Sequence, residues 1–284
     1  MSDNVKTVLE VIQSTTAYFT KHGIESPRLN SEHLTAHVLG KKRIELYMEF
    51  DRPLFEKELA PLREMVKLRA QGRPLQHLLG TVDFHGLIFK CDGRALVPRP
   101  ETEQLVEILL AETAGRRPAK VLDVGTGSGV IALTLAAKIE TASVDALDIS
   151  EEALALAREN AERLGLAGRV NFSRSDLLGG VTGSYDLIAA NLPYIATGEL
   201  ASLSREVQCD PRTALEGGAA GHEIVARLIA QAKGRLASGG LLALEIGHDQ
   251  ADFLADLLGR EKYQDILCKS DYQGVRRFLL AKYG

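Results

Sequence analysis

"KVLDVGTGSGVIALTLAA", residues 120–137, decides how the rest of the chain is read. The first six residues have the short apolar character of a buried strand, and Ser128 to Ala137 read as a helix. Between them the glycines let the backbone turn sharply and approach a ligand with no Cβ in the way. The spacing of Asp123, Gly125, Gly127 and Gly129 is D-x-G-x-G-x-G, which departs from the G-x-G-x-x-G dinucleotide fingerprint. With Asp123 just ahead of the loop, a ligand carrying an ammonium group fits better than a pyrophosphate. An unliganded tight turn is the plain alternative.

Downstream of this unit the chain keeps alternating. "SVDALDI" reads as a strand, Glu151 to Leu164 as a helix, "RVNFS" and "YDLIAANL" as strands, and residues around 221–237 as a helix. The strand "LLALEIG", a helix around 250–258, and the strands "YQDILC" and "VRRFLLAKY" complete it. Such alternation predicts an α/β fold, a mostly parallel sheet with helices on both faces. Ligands bind such sheets at the carboxyl ends of the strands, where strand order reverses.

Upstream, residues 1 to about 75 read as helices, with Val5, Val8, Leu9 and Ile12, then Leu34, Val38 and Leu39, at helical spacing. Ser31 with Glu32 resembles a helix start and Gly40 a stop. Pro53 breaks the chain before a helix carrying Leu59, Leu62, Met65, Val66 and Leu68. "GTVDFHGLIFKCDGRALVPRPETE", residues 80–103, reads as a β-hairpin linker with Asp92-Gly93 as its turn signal. A helix then starts near Pro100, with Glu101 and Glu103 in its first turn.

Three further strand ends carry chemistry-bearing residues. Asp148 closes "ALDIS" and is placed to accept both hydroxyls of a ribose; a helix N-cap is the alternative, although Ser150 could equally supply that. Asp176, in Ser175-Asp176-Leu177, could accept from an adenine amino group while Leu177 walls the ring; ordinary turn chemistry is the alternative. Asn191-Leu192-Pro193-Tyr194 ends the fourth strand. The Asn191 side-chain oxygen and the Leu192 carbonyl offer two acceptors for the hydrogens of an NH2 group. Tyr194 can pack on a planar amide or base, and Pro193 stiffens the loop. Together these form a slot for an sp² nitrogen.

Bulk properties bound the classes. The chain has 284 residues, 45% hydrophobic and 25% charged, with net charge −4. Two domains fit the length, and the charge offers no general attraction for nucleic acid. Three Cys, at positions 91, 209 and 268, form no C-x-x-C and suggest reduced thiols in a cytosolic protein. The start, MSDNVKTVLE, carries no basic stretch before an apolar core, so no secretory signal is expected. No apolar run approaches the roughly 18 residues that span a bilayer. His33 and His37 stand four apart without a third ligand, so no metal site is expected. Lys41-Lys42-Arg43 reads as a solvated helix end.

Taken in order, "LVPRPETE", "VLDVGTGSG", "ALDIS", "RSDLL", "NLPYI", "PRTALEGGAAG" and "GGLLALEIG" resemble the HemK/PrmC family over essentially the whole chain. Those proteins are S-adenosylmethionine-dependent protein-glutamine N5-methyltransferases acting on the Gly-Gly-Gln motif of class I peptide chain release factors. The resemblance implies a class I methyltransferase fold, Rossmann-like, with a mostly parallel seven-stranded sheet. It implies a helical substrate-recognition domain over 1–78, a β-hairpin linker over 79–98 and the methyltransferase domain over 99–284. Gly125, Thr126, Gly127, Ser128 and Gly129, with Asp123 ahead of them, would hold the methionine part, Asp148 the ribose, and Asp176 with Leu177 the adenine. Asn191 would touch cofactor and substrate, and Asn191, Leu192, Pro193 and Tyr194 would grip the glutamine amide. Arg99, Thr102 and Glu103 match a segment that covers the cofactor.

The implied product is S-adenosylhomocysteine, the location the cytoplasm, and no membrane or stable nucleic-acid partner is expected. The family usually has Pro where this chain has Leu192, and often Glu where it has Asp210. Leu192→Pro is therefore expected to be neutral or mildly favourable. The competing readings are methylation of a ribosomal-protein glutamine or of an exocyclic amine of RNA or DNA, an NAD oxidoreductase, and a non-catalytic binding module.

Overall fold

The computed structural model describes residues 6–114 and 120–284, so the expected helix position Val5 lies outside the described residues. The chain divides into two compact units. The first comprises the residues up to Gly80 together with Ser204–Cys209. It holds helices α1 (Val8–Lys21), α2 (Pro27–Leu39), α3 (Glu56–Ala70) and the short α4 (Leu75–Leu79). Thr7 caps α1 in a capping box with Glu10. Val8, Val11, Ile12, Phe19, Leu34, Leu46, Leu54 and Leu62 form the core of this unit.

Two features of this unit depart from the sequence reading. α2 starts at Pro27 rather than at Ser31, although it stops at Gly40 as expected. Ser31 and Glu32 are buried in the helix interior. The Ser31 hydroxyl donates to the Ile12 carbonyl at 3.0 Å, and Glu32 takes Arg28, Arg43 and Tyr47 at 2.9, 3.2 and 2.9 Å. Two residues with cap chemistry thus serve contacts across the helical unit, because buried polar groups need partners wherever they fall. The second departure is Ser204–Cys209, which the contiguous division expected from the sequence leaves out of this unit. Its anchor is Arg69, 4% exposed, which donates to Asn30 Oδ1 at 2.7 Å, to the Arg73 carbonyl at 3.0 Å and to Glu206 Oε2 at 2.7 Å.

The second unit comprises Thr81–Leu203 and Asp210–Gly284. It opens with the hairpin of β1 (Thr81–Phe84) and β2 (Leu87–Lys90). The turn is His85-Gly86, both with positive φ, and not Asp92-Gly93. A two-residue loop with both φ positive matches the twist of a hairpin. Asp92 instead lies beyond β2 and accepts from Arg94. Next comes α5 (Pro100–Thr113), with Pro100 at its first position and Glu101 and Glu103 in its first turn.

The remaining elements follow the expected alternation. They are β3 (Lys120–Val124), α6 (Val130–Lys138), β4 (Ser143–Asp148), α7 (Glu151–Arg163), β5 (Val170–Arg174) and β6 (Tyr185–Asn191). Two short strands, β7 (Ile195–Ala196) and β8 (Glu216–Gly218), pair with each other. Then come α8 (Glu223–Ala232), β9 (Leu236–Glu245), α9 (Ala251–Arg260), β10 (Gln264–Ser270) and β11 (Arg276–Tyr283).

One seven-stranded sheet runs in the order β10-β11-β9-β6-β3-β4-β5. The pairs from β9 to β5 are parallel, and β11 is antiparallel to both of its neighbours. This is the class I methyltransferase architecture expected from the sequence. The central strands are apolar on both faces, with Val121, Leu122, Leu187, Ile188, Leu242 and Leu244 at or below 1% exposure. A parallel sheet covered on both sides requires that. Strand order reverses around β3: the chain runs outward through β4 and β5, then returns to β6 on the other side. The carboxyl ends of β3, β4 and β6 therefore meet where such sheets bind ligands.

Candidate active site

A cavity of about 610 Å³ opens at these strand ends, within the range of roughly 300–1,000 Å³ typical of small-ligand sites. It is lined by Gly125, Thr126, Gly127 and Ser128, by Asp148, Ile149, Asp176 and Leu177, and by Asn191, Leu192 and Pro193. Ala95, Leu96, Pro98 and Thr102 contribute from the segment after the hairpin, and Glu216, Gly217 and Gly218 from β8. Asp123, Gly129 and Tyr194 are not among the lining residues.

Neighbouring strands hold the glycine-rich loop in place. The Gly125 and Thr126 amides both donate to the Leu147 carbonyl at 2.8 Å, and the Gly127 amide donates to Asp148 Oδ2 at 2.8 Å. Gly125 has φ +74°, and a Cβ there would lie 2.7 Å from Leu192 Cδ2. Only glycine satisfies both the backbone and this approach.

Asp123 lies beneath the loop, fully buried. Its Oδ2 accepts from the Thr126 hydroxyl at 2.6 Å and the Ala132 amide at 3.1 Å, while Oδ1 is buried without a hydrogen-bond partner. Burial pushes its carboxyl up to about 7, reinforced by the Asp148 charge and opposed by the Thr126 and Ala132 hydrogen bonds. Asp123 therefore holds the loop from below through Thr126 and Ala132.

Asp148 stands at the cavity wall. Its second oxygen accepts from the Ser150 amide at 2.8 Å. Burial raises its carboxyl, and the backbone donors of Ser150, Gly127 and Ile149 oppose the shift. A carboxylate has about four acceptor directions in all, so with three backbone donors facing it one is left for a ligand. Ser150 caps α7, its hydroxyl accepting from the Ala153 amide at 3.2 Å, which leaves Asp148 free of that duty. Leu177 is 6% exposed with φ +50°. Asp176 pairs with Arg227 at 2.7 Å across solvent-exposed side chains.

At the end of β6, Asn191 Nδ2 donates to the Thr102 hydroxyl at 3.0 Å, and that hydroxyl donates to Glu245 Oε2 at 2.9 Å. The Asn191 amide therefore presents its nitrogen to Thr102. Its side-chain oxygen takes no hydrogen bond among the described residues. Leu192 is 5% exposed and packs over Gly125. Tyr194 is half-buried, its hydroxyl raised first by burial and then by the Glu245 charge.

Several residues that hold this site escaped the sequence reading. Glu245, 1% exposed, sits opposite Asn191 in the β6–β9 register; a lone carboxylate in the apolar run "LLALEIG" was the available signal. The Gln250 side chain donates to the Tyr194 carbonyl at 2.9 Å and accepts from the Gly247 amide at 3.0 Å. Asn160, fully buried on α7, accepts from the Lys90 amide at 2.6 Å and donates to the Ser128 carbonyl at 2.9 Å, tying the hairpin to the loop. Arg99 pairs with buried Asp210 at 2.6 Å and Glu103 accepts from the His85 amide at 3.1 Å, so both act in the scaffold. Among the described residues no group of three His, Cys, Asp or Glu side chains could hold a metal ion.

Known proteins share both the sequence and the fold. The profile of the PrmC N-terminal domain matches residues 10–80, and that of the methyltransferase small domain residues 101–216. A release factor glutamine methyltransferase of Chlorobaculum tepidum is 38% identical over 288 residues, covering 98% of this chain and 97% of the relative. One from Deinococcus radiodurans is 39% identical over 273 residues, covering 96% and 97%. Among solved structures, a methyltransferase from Pyrococcus furiosus superposes with a TM-score of 0.55 at 21% identity, covering 81% of this chain and all of that one, which bears on the fold alone. Identity of this extent along both chains has one meaning: the protein belongs to the release factor glutamine methyltransferase family.

Proposed function

We propose that this protein transfers a methyl group from S-adenosylmethionine to the side-chain amide nitrogen of the glutamine in the Gly-Gly-Gln motif of class I peptide chain release factors, in the cytoplasm. The observation that carries the reading is the amide of Asn191, a residue lining the cavity, held through its nitrogen while its oxygen takes no hydrogen bond among the described residues. The relatives named for this activity align along the whole chain.

The cavity fits the cofactor in volume and in donor set. Asp148 keeps an acceptor direction for a ribose hydroxyl, and Ile149 and Leu177 offer apolar walls for adenine. Asp176 would take the adenine amino group, and the Gly125–Gly129 backbone would follow the methionine part. When bound, the cofactor supplies an electrophilic methyl group on a sulfonium sulfur.

The chain's own residues position the acceptor nitrogen. Asn191 Oδ1 accepts one hydrogen of the glutamine NH2, and the Leu192 carbonyl accepts the other. Both hydrogens are then held in one plane, and the nitrogen lone pair is aimed along a single line. Orientation of this kind and fixed dipoles, rather than a strong base, supply the rate enhancement. The alkylated amide is strongly acidic, so its proton leaves without a dedicated acceptor.

The direct test is mass spectrometry of tryptic peptides after incubating the enzyme with release factor and S-adenosylmethionine. A gain of one methyl on the Gly-Gly-Gln peptide is expected. Label appearing instead in a ribosomal protein or in RNA overturns the substrate. Asn191→Ala is expected to lower transfer by about a hundredfold or more, the cost of removing one oriented transition-state partner, with cofactor affinity within a few-fold. Loss of both together would make Asn191 a scaffold residue.

A further inference from the structure

The hydrogen-bond chain behind Asn191 has a direction, and Glu245 sets it. Glu245 ends β9 and Thr102 sits in the first turn of α5, at 1% and 3% exposure. A hydroxyl has one proton to give. An ionised carboxylate only accepts, so the Thr102 proton is committed to Glu245 Oε2. The Thr102 oxygen is then left as an acceptor, and only the NH2 end of Asn191 can meet it. We propose that Glu245, acting through Thr102, is the positioning residue that keeps the Asn191 side-chain oxygen toward the cavity, and that protonating Glu245 releases this constraint. A neutral Glu245 can donate to Thr102. The Thr102 proton then turns to Asn191, the amide rotates to accept it, and an NH2 group faces the cavity. That end cannot accept from a substrate amide. The inference rests on the reading of Asn191 as the substrate acceptor.

The surroundings place the switch in an accessible range. Burial pushes the Glu245 carboxyl up to about 7. The Thr102 hydrogen bond opposes the shift, as do the Arg277 charge on β11 and the Asn191 amide on β6, whereas Glu101 on α5 adds to it. Arg277 is itself held by Asp271 at 3.4 Å and Tyr194 lies near Glu245, so these groups complete the charged surroundings. Above that point the chain holds the acceptor outward, and below it the direction is lost.

Two experiments decide it. In the methyl-transfer assay at saturating cofactor, wild-type kcat/KM should fall about tenfold per pH unit below the Glu245 titration. Glu245→Gln, which can both accept and donate, should lose this limb and run a few-fold slower at neutral pH. Thr102→Val should cost tenfold or more in kcat with cofactor affinity retained, and Thr102→Ser should recover most of the loss. The second experiment needs no turnover and so judges the network even if the proposed substrate is wrong. NMR of the free protein follows the Glu245 carboxyl carbon, assigned with Glu245→Gln, and the Asn191 side-chain amide. Both should shift with one midpoint near neutrality in the wild type, and Thr102→Val should uncouple Asn191. An Asn191 amide that ignores the Glu245 titration overturns the proposal. So does an unchanged acid limb in Glu245→Gln, a Thr102→Ser no better than Thr102→Val, or loss of cofactor binding in Thr102→Val.

Discussion

At Asn191 an amide has two chemically opposite ends, and a neighbour on another element decides which one works. Leu192, next along the chain, illustrates how packing and backbone terms offset each other. Its side chain is 5% exposed and fills the space over Gly125. Replacing it by Pro removes roughly one carbon of buried apolar volume, about 0.8 kcal/mol. The stiffer backbone returns about 0.4–1 kcal/mol through the unfolded state. Asn191, the last residue of β6, is already in a strand and tolerates a following Pro. The two effects nearly cancel, so Leu192→Pro should unfold within about 1 kcal/mol of the wild type, by the same two magnitudes, and keep activity within a few-fold. A drop of tenfold or more in kcat, with denaturant unfolding unchanged, would show that the Leu192 carbonyl takes a path that Pro cannot follow.

Short elements hold the loop after β6. β7 pairs with β8, the Ile195 amide donates to the Leu215 carbonyl at 3.0 Å, and Gln250 holds the Tyr194 carbonyl. In β8 the backbone of Gly217 passes so close to the loop that a Cβ would lie 2.6 Å from the Pro193 carbonyl oxygen and collide with the carbonyl of Gly221. Both atoms are backbone, so no side chain can give way. Gly217→Ala should therefore displace the Asn191–Tyr194 segment, destabilise by about 1–3 kcal/mol as overpacking does, and lower kcat more than cofactor affinity. Thermal unfolding, methyl-transfer kinetics and isothermal titration of the cofactor in parallel would check it; equal loss of kcat and cofactor affinity would place the damage in the glycine-rich loop instead. The pair Gly217-Gly218 was visible in "TALEGG" as a motif, but its steric reason exists only once β8 lies against the loop.

Across the whole molecule, buried carboxyls set the pH range of stability. Burial pushes both Asp123 and Glu245 up to about 7, and shifts Asp148 the same way. Such groups hold protons in the folded state that the unfolded chain has released. Their stabilising share is full below the ordinary carboxylate range and is lost as pH rises through about 7. Glu159 has the opposite sign, lowered to about 2 by hydrogen bonds from Arg94 and then Lys90, and Arg94 also lowers Asp92. These contribute above the ordinary range and lose their share as pH falls, with solvent screening limiting them. Stability should therefore peak in mildly acid solution. Asp123→Asn removes one buried charge, so the fall in Tm between about pH 5 and pH 8 should become shallower without vanishing, because Glu245 remains. Calorimetry of the cofactor-free protein tests this, and an unchanged slope would show that Asp123 is ionised in the folded protein throughout that range, as it is in the unfolded chain.

The glycine spacing, the β-α alternation and the strand-end residues Asp148, Leu177 and Asn191 were legible in the sequence because they obey local rules: period, turn chemistry and chain order. Those rules carry the seven-stranded sheet and the place of its ligand site. They could not show that His85-Gly86 makes the hairpin turn, or that Ser31 and Glu32 lie inside a helix. They could not show that Ser204–Cys209 belongs with the helical unit through Glu206. Above all they could not give Asn191 its orientation. That follows from a proton handed between Thr102 and Glu245, 143 residues apart in the chain. Local propensity is a property of neighbours in sequence, whereas the direction of a buried hydrogen bond is fixed only when distant groups are brought together without water.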